Sequence, residues 1–149
     1  MTNMYSSTPR KGSKFVERCF NAGLPPFVKS SPGIGKSAIM KQLAKDYNLE
    51  LIDIRLSMCD TTDLNGLHCF NEKTGKAEFR PFDMFPVKGT PLPPGKNGWL
   101  MFFDEFNSAP KSIQAASYKI MLDHMVGMTT LHACVFTAAA GTLQTYRAV

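Results

Sequence analysis

The chain has no hydrophobic run near the roughly 18 residues that cross a bilayer. Its most apolar stretches, Trp99–Phe103 and Ala133–Ala140, have the length of core strands. The first ten residues are polar and offer no apolar segment of a secretory leader, so we expect a cytoplasmic location and no membrane partner. Charge is sparse: 19% of residues are charged, and 17 Lys+Arg against 12 Asp+Glu leave a net +5, scattered rather than clustered. That excess permits contact with phosphates or nucleic acid without arguing for it. Cysteine is scarce too. Cys19, Cys59, Cys69 and Cys134 follow no metal-binding spacing and form no C-x-x-C pair, so we expect buried small hydrophobes.

With 44% apolar residues over 149 positions, the chain can bury a real core, and disorder is excluded. One domain is expected, residues 11–149, behind a loose tail at 1–10. Phe15, Val16, Cys19 and Phe20 mark one face of a helix over Lys11–Ala22, stopped by Gly23. Phe27–Lys29 reads as a short buried strand. A second helix runs from Lys36 to about Tyr47, with Ile39, Met40, Leu43 and Tyr47 inward. Leu49–Leu56 is a strand covered on both faces. Thr61–Gly66 starts a short helix, Asn71–Lys76 turns a hairpin within His68–Pro86, and Val87–Gly98 is a loop. Trp99–Phe103 is a strand, Asn107–Pro110 a turn, Lys111–His124 a helix and Ala133–Ala140 a final strand. Alternating strands and helices predict an α/β fold with a mostly parallel sheet and right-handed crossovers.

The strongest motif is Ser30–Ser37, SSPGIGKS. It keeps three of the four fixed positions of the phosphate-binding pattern G-x-x-x-x-G-K-[ST], with Ser30 where the first glycine is usual. Gly33 and Gly35 let the backbone wrap so that successive N–H groups face an anion. The helix that follows adds its positive end. Lys36 reaches outer phosphates, and the Ser37 hydroxyl suits Mg²⁺.

The strand Trp99–Phe103 ends in Asp104-Glu105. Ligands of parallel sheets collect at the carboxyl ends of the strands, which would put Asp104 beside the loop. There its carboxylate can hold Mg²⁺ and Glu105 can orient or deprotonate an attacking water. Together the motifs imply a nucleoside triphosphate site and favour hydrolysis.

These residues resemble AAA+ ATPases of the MoxR-like type, close to forms carried by bacteriophages. Ser31–Ala38, Leu100–Glu105 and Asn107–Pro110 carry the likeness, with Leu51–Leu56, Thr62–Leu67, Met125–Gly127 and Ala138–Gly141. It spans the chain from about Phe15 to the end. The resemblance implies a P-loop NTPase (AAA+) three-layer αβα core, with ATP and Mg²⁺ as ligands. It also implies ring assembly, often hexameric, and remodelling or assembly of a protein or protein–nucleic-acid partner, in the host cytoplasm if phage-encoded. Carried over by position, Ser31, Pro32, Gly33, Ile34, Gly35, Lys36, Ser37 and Ala38 form the nucleotide loop. Ser37 and Asp104 hold the metal, Glu105 activates water, and Thr142 stands at the sensor-1 position.

The departures shape the expectation. Thr142 replaces an Asn, offering one hydroxyl in place of an amide that bridges two partners. Ser108 and His124 stand where arginines are common. The family's lid and arginine finger lie beyond Val149, so the core is expected to be incomplete at its C-terminus. A finger is worth about 10³–10⁵ in rate where phosphoryl-transfer enzymes use one, so slow turnover is expected. Arg147 reads as a surface residue. The functional reading is therefore an ATPase motor core. Two alternatives are a nucleotide-gated binding module and a kinase, the last weakened by the lack of an Arg-rich lid. Phe79, Phe82 and Phe85 read as a hydrophobic clamp rather than an exposed patch. His68 and His132 read as loop or strand-edge residues, and Met121, Met125 and Met128 as packing at helical spacing.

Overall fold

The computed structural model describes residues 9–30 and 35–142. Helix α1 (Pro9–Asn21) starts two residues before the end of the expected tail, with a proline at its first position, where a missing N–H costs nothing. Strand β1 (Phe27–Ser30) follows, then α2 (Lys36–Asp46) and β2 (Leu49–Arg55). Leu56–Met58 is a 3₁₀ turn, and α3 (Thr61–Asn65) is started by Asp60, whose side chain accepts from Asp63 N–H while Asp63 returns the favour to Asp60 N–H. The hairpin β3 (Leu67–Asn71) and β4 (Lys76–Arg80) turns at Glu72–Gly75, as the sequence indicated. After a loop come β5 (Gly98–Asp104), a 3₁₀ turn at Phe106–Ser108 and α4 (Lys111–Asp123).

Beyond α4 the structure departs from expectation. Met125–Val126 (β6) and Thr129–Thr130 (β7) form a small antiparallel hairpin. His124 ends α4 in the left-handed conformation, so the methionines do not continue a helical stripe. Met121 is buried, Met125 half-buried and Met128 exposed at the hairpin turn, so only the first packs as expected. The last strand, β8, spans Val135–Thr142, two residues further than its apolar pattern suggested.

Among the described residues the central sheet has four strands in the order β1-β8-β5-β2, all parallel. Every residue of β5 from Gly98 to Phe103 is buried, as a strand covered on both faces requires. Pleating sorts its side chains. Leu100 and Phe102 join Val16, Phe20, Met40, Leu43, Ala138 and Ala140 under α1 and α2. Trp99, Met101 and Phe103 join Leu64, Ile113, Ile120 and Ala139 under α3 and α4. The result is the expected three-layer α/β core. Among the described residues no helix is long and apolar enough to cross a membrane.

Two smaller expectations are corrected. All four cysteines are only half-buried, because they lie at element ends and on the hairpin rather than in the central strands. Of the three phenylalanines, Phe85 alone is core, at 3% exposure; Phe79, on the two-stranded hairpin, and Phe82, in the loop after it, stand 37% and 36% exposed, since neither segment is covered on both faces. His68 lies on β3 with its ring 4.0 Å from that of Phe79. His132 sits ahead of β8, where its Nδ1 accepts from Cys134 N–H at 3.0 Å.

Phe102 is fully buried between sheet and helices. Phe102→Ala should cost about 3–5 kcal/mol in urea unfolding. Leu122→Ala, at a position 71% exposed on α4, should stay within about 0.5 kcal/mol.

Candidate functional site

Because the four strands run parallel, their carboxyl ends share one edge of the sheet. The register fixes who stands there: position 30 faces Thr142 across β1 and β8, and Arg55 faces Asp104 across β2 and β5. Alternation along β5 puts Asp104 on the side of Leu100 and Phe102, the side covered by α2. The same parity along β8 puts Thr142 there, with Ala138 and Ala140. Two expected functional residues thus share a face with the helix that follows the glycine-rich loop. One strand intervenes, however. β8 lies between β1 and β5, so the acidic strand end is two strand spacings from β1, about 10 Å, rather than next to it.

Ser31, Pro32, Gly33 and Ile34 lie outside the described residues. Gly35 precedes α2 with φ 69° and ψ 32°, a left-handed backbone that favours glycine. No side chain caps the helix and its first turn holds no acid, so the positive end of α2 is uncompensated among the described residues. Lys36 is half-buried and its Nζ donates to the carbonyl of Gly141 at 2.9 Å. Ser37 is half-buried and Ala38 exposed.

On the acidic side, the chain turns sharply after β5. Glu105 adopts φ 56° and ψ 39°, a left-handed backbone that costs a non-glycine residue about 1 kcal/mol or more. Its N–H donates to the Asp104 carboxylate at 2.7 Å, which anchors the turn. The Glu105 carboxylate accepts from the Ser57 hydroxyl and lies 3.8 Å from Arg55 Nε. Asn107, just beyond, donates its side-chain N–H to the Thr142 carbonyl at 2.6 Å. Sequence reasoning did not single out Arg55 and Ser57. Their only signal was position, at the end of the strand that pairs with the acidic one.

Burial and the negative charge gathered here act together on a neighbouring carboxyl. Asp53, on the α2 side of β2, has its carboxyl held above the ordinary carboxylate range, first by desolvation and then by the charge of Asp104. Arg55 and Lys41 oppose the shift without cancelling it.

The fold has counterparts of known structure. The crystal structure of a candidate ATPase from Cytophaga hutchinsonii superposes with a TM-score of 0.59 at 20% identity, over 93% of this chain and 39% of that one. NtrX from Brucella abortus superposes with a TM-score of 0.54 at 11% identity, over 96% of this chain and 31% of that one. At such identities the likeness is one of fold, and the chain spans well under half the length of either. No family model and no curated protein matches the sequence.

A carboxyl whose pKa is raised by folding adds stability below its unfolded pKa, and that contribution is lost as pH rises through the folded value. Asp53→Asn should therefore raise the Tm at pH 7, and the gain should fade as pH falls through the carboxylate range. Melts of both proteins from pH 3 to pH 8 check the sign.

Proposed function

We propose that the chain is an AAA+ nucleotide-binding core that binds ATP with Mg²⁺ and hydrolyses it to ADP and phosphate. One observation carries the reading: the parallel sheet brings Asp104, Glu105 and Thr142 to the same edge as Lys36, which already grips the end of β8. The residues present suit the ligands. Lys36 gives one neutral carbonyl a charged donor that a phosphate oxygen would engage more strongly. Gly35 and the start of α2 present backbone N–H groups to an anion. The oxygens of Ser37 and Asp104 are the hard donors Mg²⁺ prefers, and the ion would neutralise charge on the outer phosphates.

Glu105 is the base for the attacking water, and Thr142 contributes a single hydroxyl beside it. The Glu105 carboxylate is engaged by Ser57 and lies near Arg55, contacts that draw on the negative charge it would offer a water. That engagement, with the single donor at Thr142, also supports the second reading, a nucleotide-gated binding module with little turnover.

The wider proposals rest on the motif resemblance: residues 11–149 as one MoxR-like core of the phage-borne kind, in the cytoplasm of the cell or host. There it would join copies of itself in a ring, often a hexamer where a lid is present, and use ATP to remodel or assemble a macromolecular partner.

Lys36→Ala should weaken ATP binding by about ten- to a hundredfold, the worth of a charge-assisted hydrogen bond. Glu105→Gln should keep affinity and lose phosphate release. ATP binding unchanged in Lys36→Ala removes the site; binding without turnover in the native chain selects the binding module.

A further inference from the structure

Strand β8 outruns its neighbour. Its last pair with β5 is Phe103↔Ala139, whereas its pairing with β1 continues to Ser30↔Thr142. β5 leaves the ladder because the backbone turns left-handed at Glu105. Two consecutive carbonyls near the end of β8 are then claimed by side chains from opposite directions. Lys36 Nζ donates to Gly141 O at 2.9 Å from the loop side, and Asn107 Nδ2 donates to Thr142 O at 2.6 Å from the acidic side. The Asn107 amide replaces the ladder N–H that β5 no longer offers.

The fit is close. A Cβ built on Gly141 would stand 2.9 Å from Asn107 Oδ1, 3.0 Å from Cγ and 3.1 Å from Nδ2. Glycine at 141 is what lets the amide lie flat against the strand. Asparagine suits 107 equally narrowly: aspartate lacks the donor, and glutamine adds a methylene where there is no room.

We infer that Asn107 is a positioning residue that fastens the Glu105 turn to the strand end held by Lys36, so that a phosphate engaging Lys36 is felt at the acidic turn. The inference rests on the nucleotide reading of the site. A phosphate oxygen competes for the Lys36 protons, because a charge-assisted bond is roughly twice as strong as one to a neutral carbonyl. Whatever hold on Gly141 is loosened, Asn107 keeps the next residue registered against the turn that carries Glu105.

Hydrogen exchange of peptides spanning residues 103–110, with and without Mg²⁺ and the slowly hydrolysed analogue ATPγS, tests this. In the native chain the analogue should change exchange in the turn by about fivefold, the scale of one hydrogen bond. Asn107→Leu, which is close in shape, carries no charge and loses the donor, should bind ATPγS with unchanged affinity and lose that response. Gly141→Ala, which pushes the amide aside, should lose that response as well. Circular dichroism melts confirm that both variants fold. A native-sized response in Asn107→Leu overturns the inference, as does a native chain that binds ATPγS with no response in the turn. A native chain that binds no ATPγS overturns the nucleotide reading as well.

Discussion

The carboxyl edge of this protein depends on one pairing, the parallel docking of β8 between β1 and β5. Without it the strand leading into the glycine-rich loop and the strand ending in Asp104-Glu105 would have no fixed relation. The sequence of β8 explains why the pairing is tight. Ala138, Ala139 and Ala140 are completely buried, two facing α1 and α2 and one facing the α4 side. Small side chains at the centre of the sheet leave room for Phe102 and Phe103 of the neighbouring strand, also completely buried. Large and small residues thus alternate across the sheet, and the strand register is set by volume as much as by hydrogen bonds.

Much of this was legible in the residues. Helical spacing in α2 and α4 and the apolar runs of β5 and β8 announced the elements, because burial imposes a period of 3.6 on a helix and continuous apolarity on a doubly covered strand. The hairpin turn at Glu72–Gly75 was legible for a different reason, since Asn71 and Gly75 are turn residues whatever surrounds them. The β6–β7 hairpin was not, because two residues per strand carry no period and its methionines imitate a helical one. Strand order was not legible either. Nothing local in the acidic strand or in β1 says that a third strand, distant in sequence from β1, will lie between them.

The site shows the same division. Lys36, Asp104 and Glu105 stood out because their chemistry is tied to a short pattern. Arg55 and Ser57 did not, and Asn107 entered only as part of a motif stretch with no role of its own, because each acts through a partner far along the chain: Ser57 through Glu105, and Asn107 through Thr142. Arg55 is ordinary in sequence and acquires meaning only from the register that sets it opposite Asp104. Contacts made by side chains across strands are products of topology, and topology is the part of a fold that composition constrains least.

The electrostatics of the edge bear on how a triphosphate would be received. Asp53, Asp104 and Glu105 already crowd one side of the sheet, and the Asp53 carboxyl is pushed above the ordinary range first by desolvation and then by the charge of Asp104. A polyanion arriving at such an edge needs positive charge close at hand. Lys36 brings one, fixed by Gly141, and Arg55 another, fixed by Glu105. Lys41 adds a third near Asp53, yet these cations do not offset several phosphate charges beside three carboxylates. The same carboxylates that repel a bare nucleotide are oxygen donors for a divalent cation, which reverses the sign of the local field. On the proposed reading, then, nucleotide and Mg²⁺ are not independent ligands of this edge: the acids that would supply the metal's ligands are the reason the phosphates need the metal.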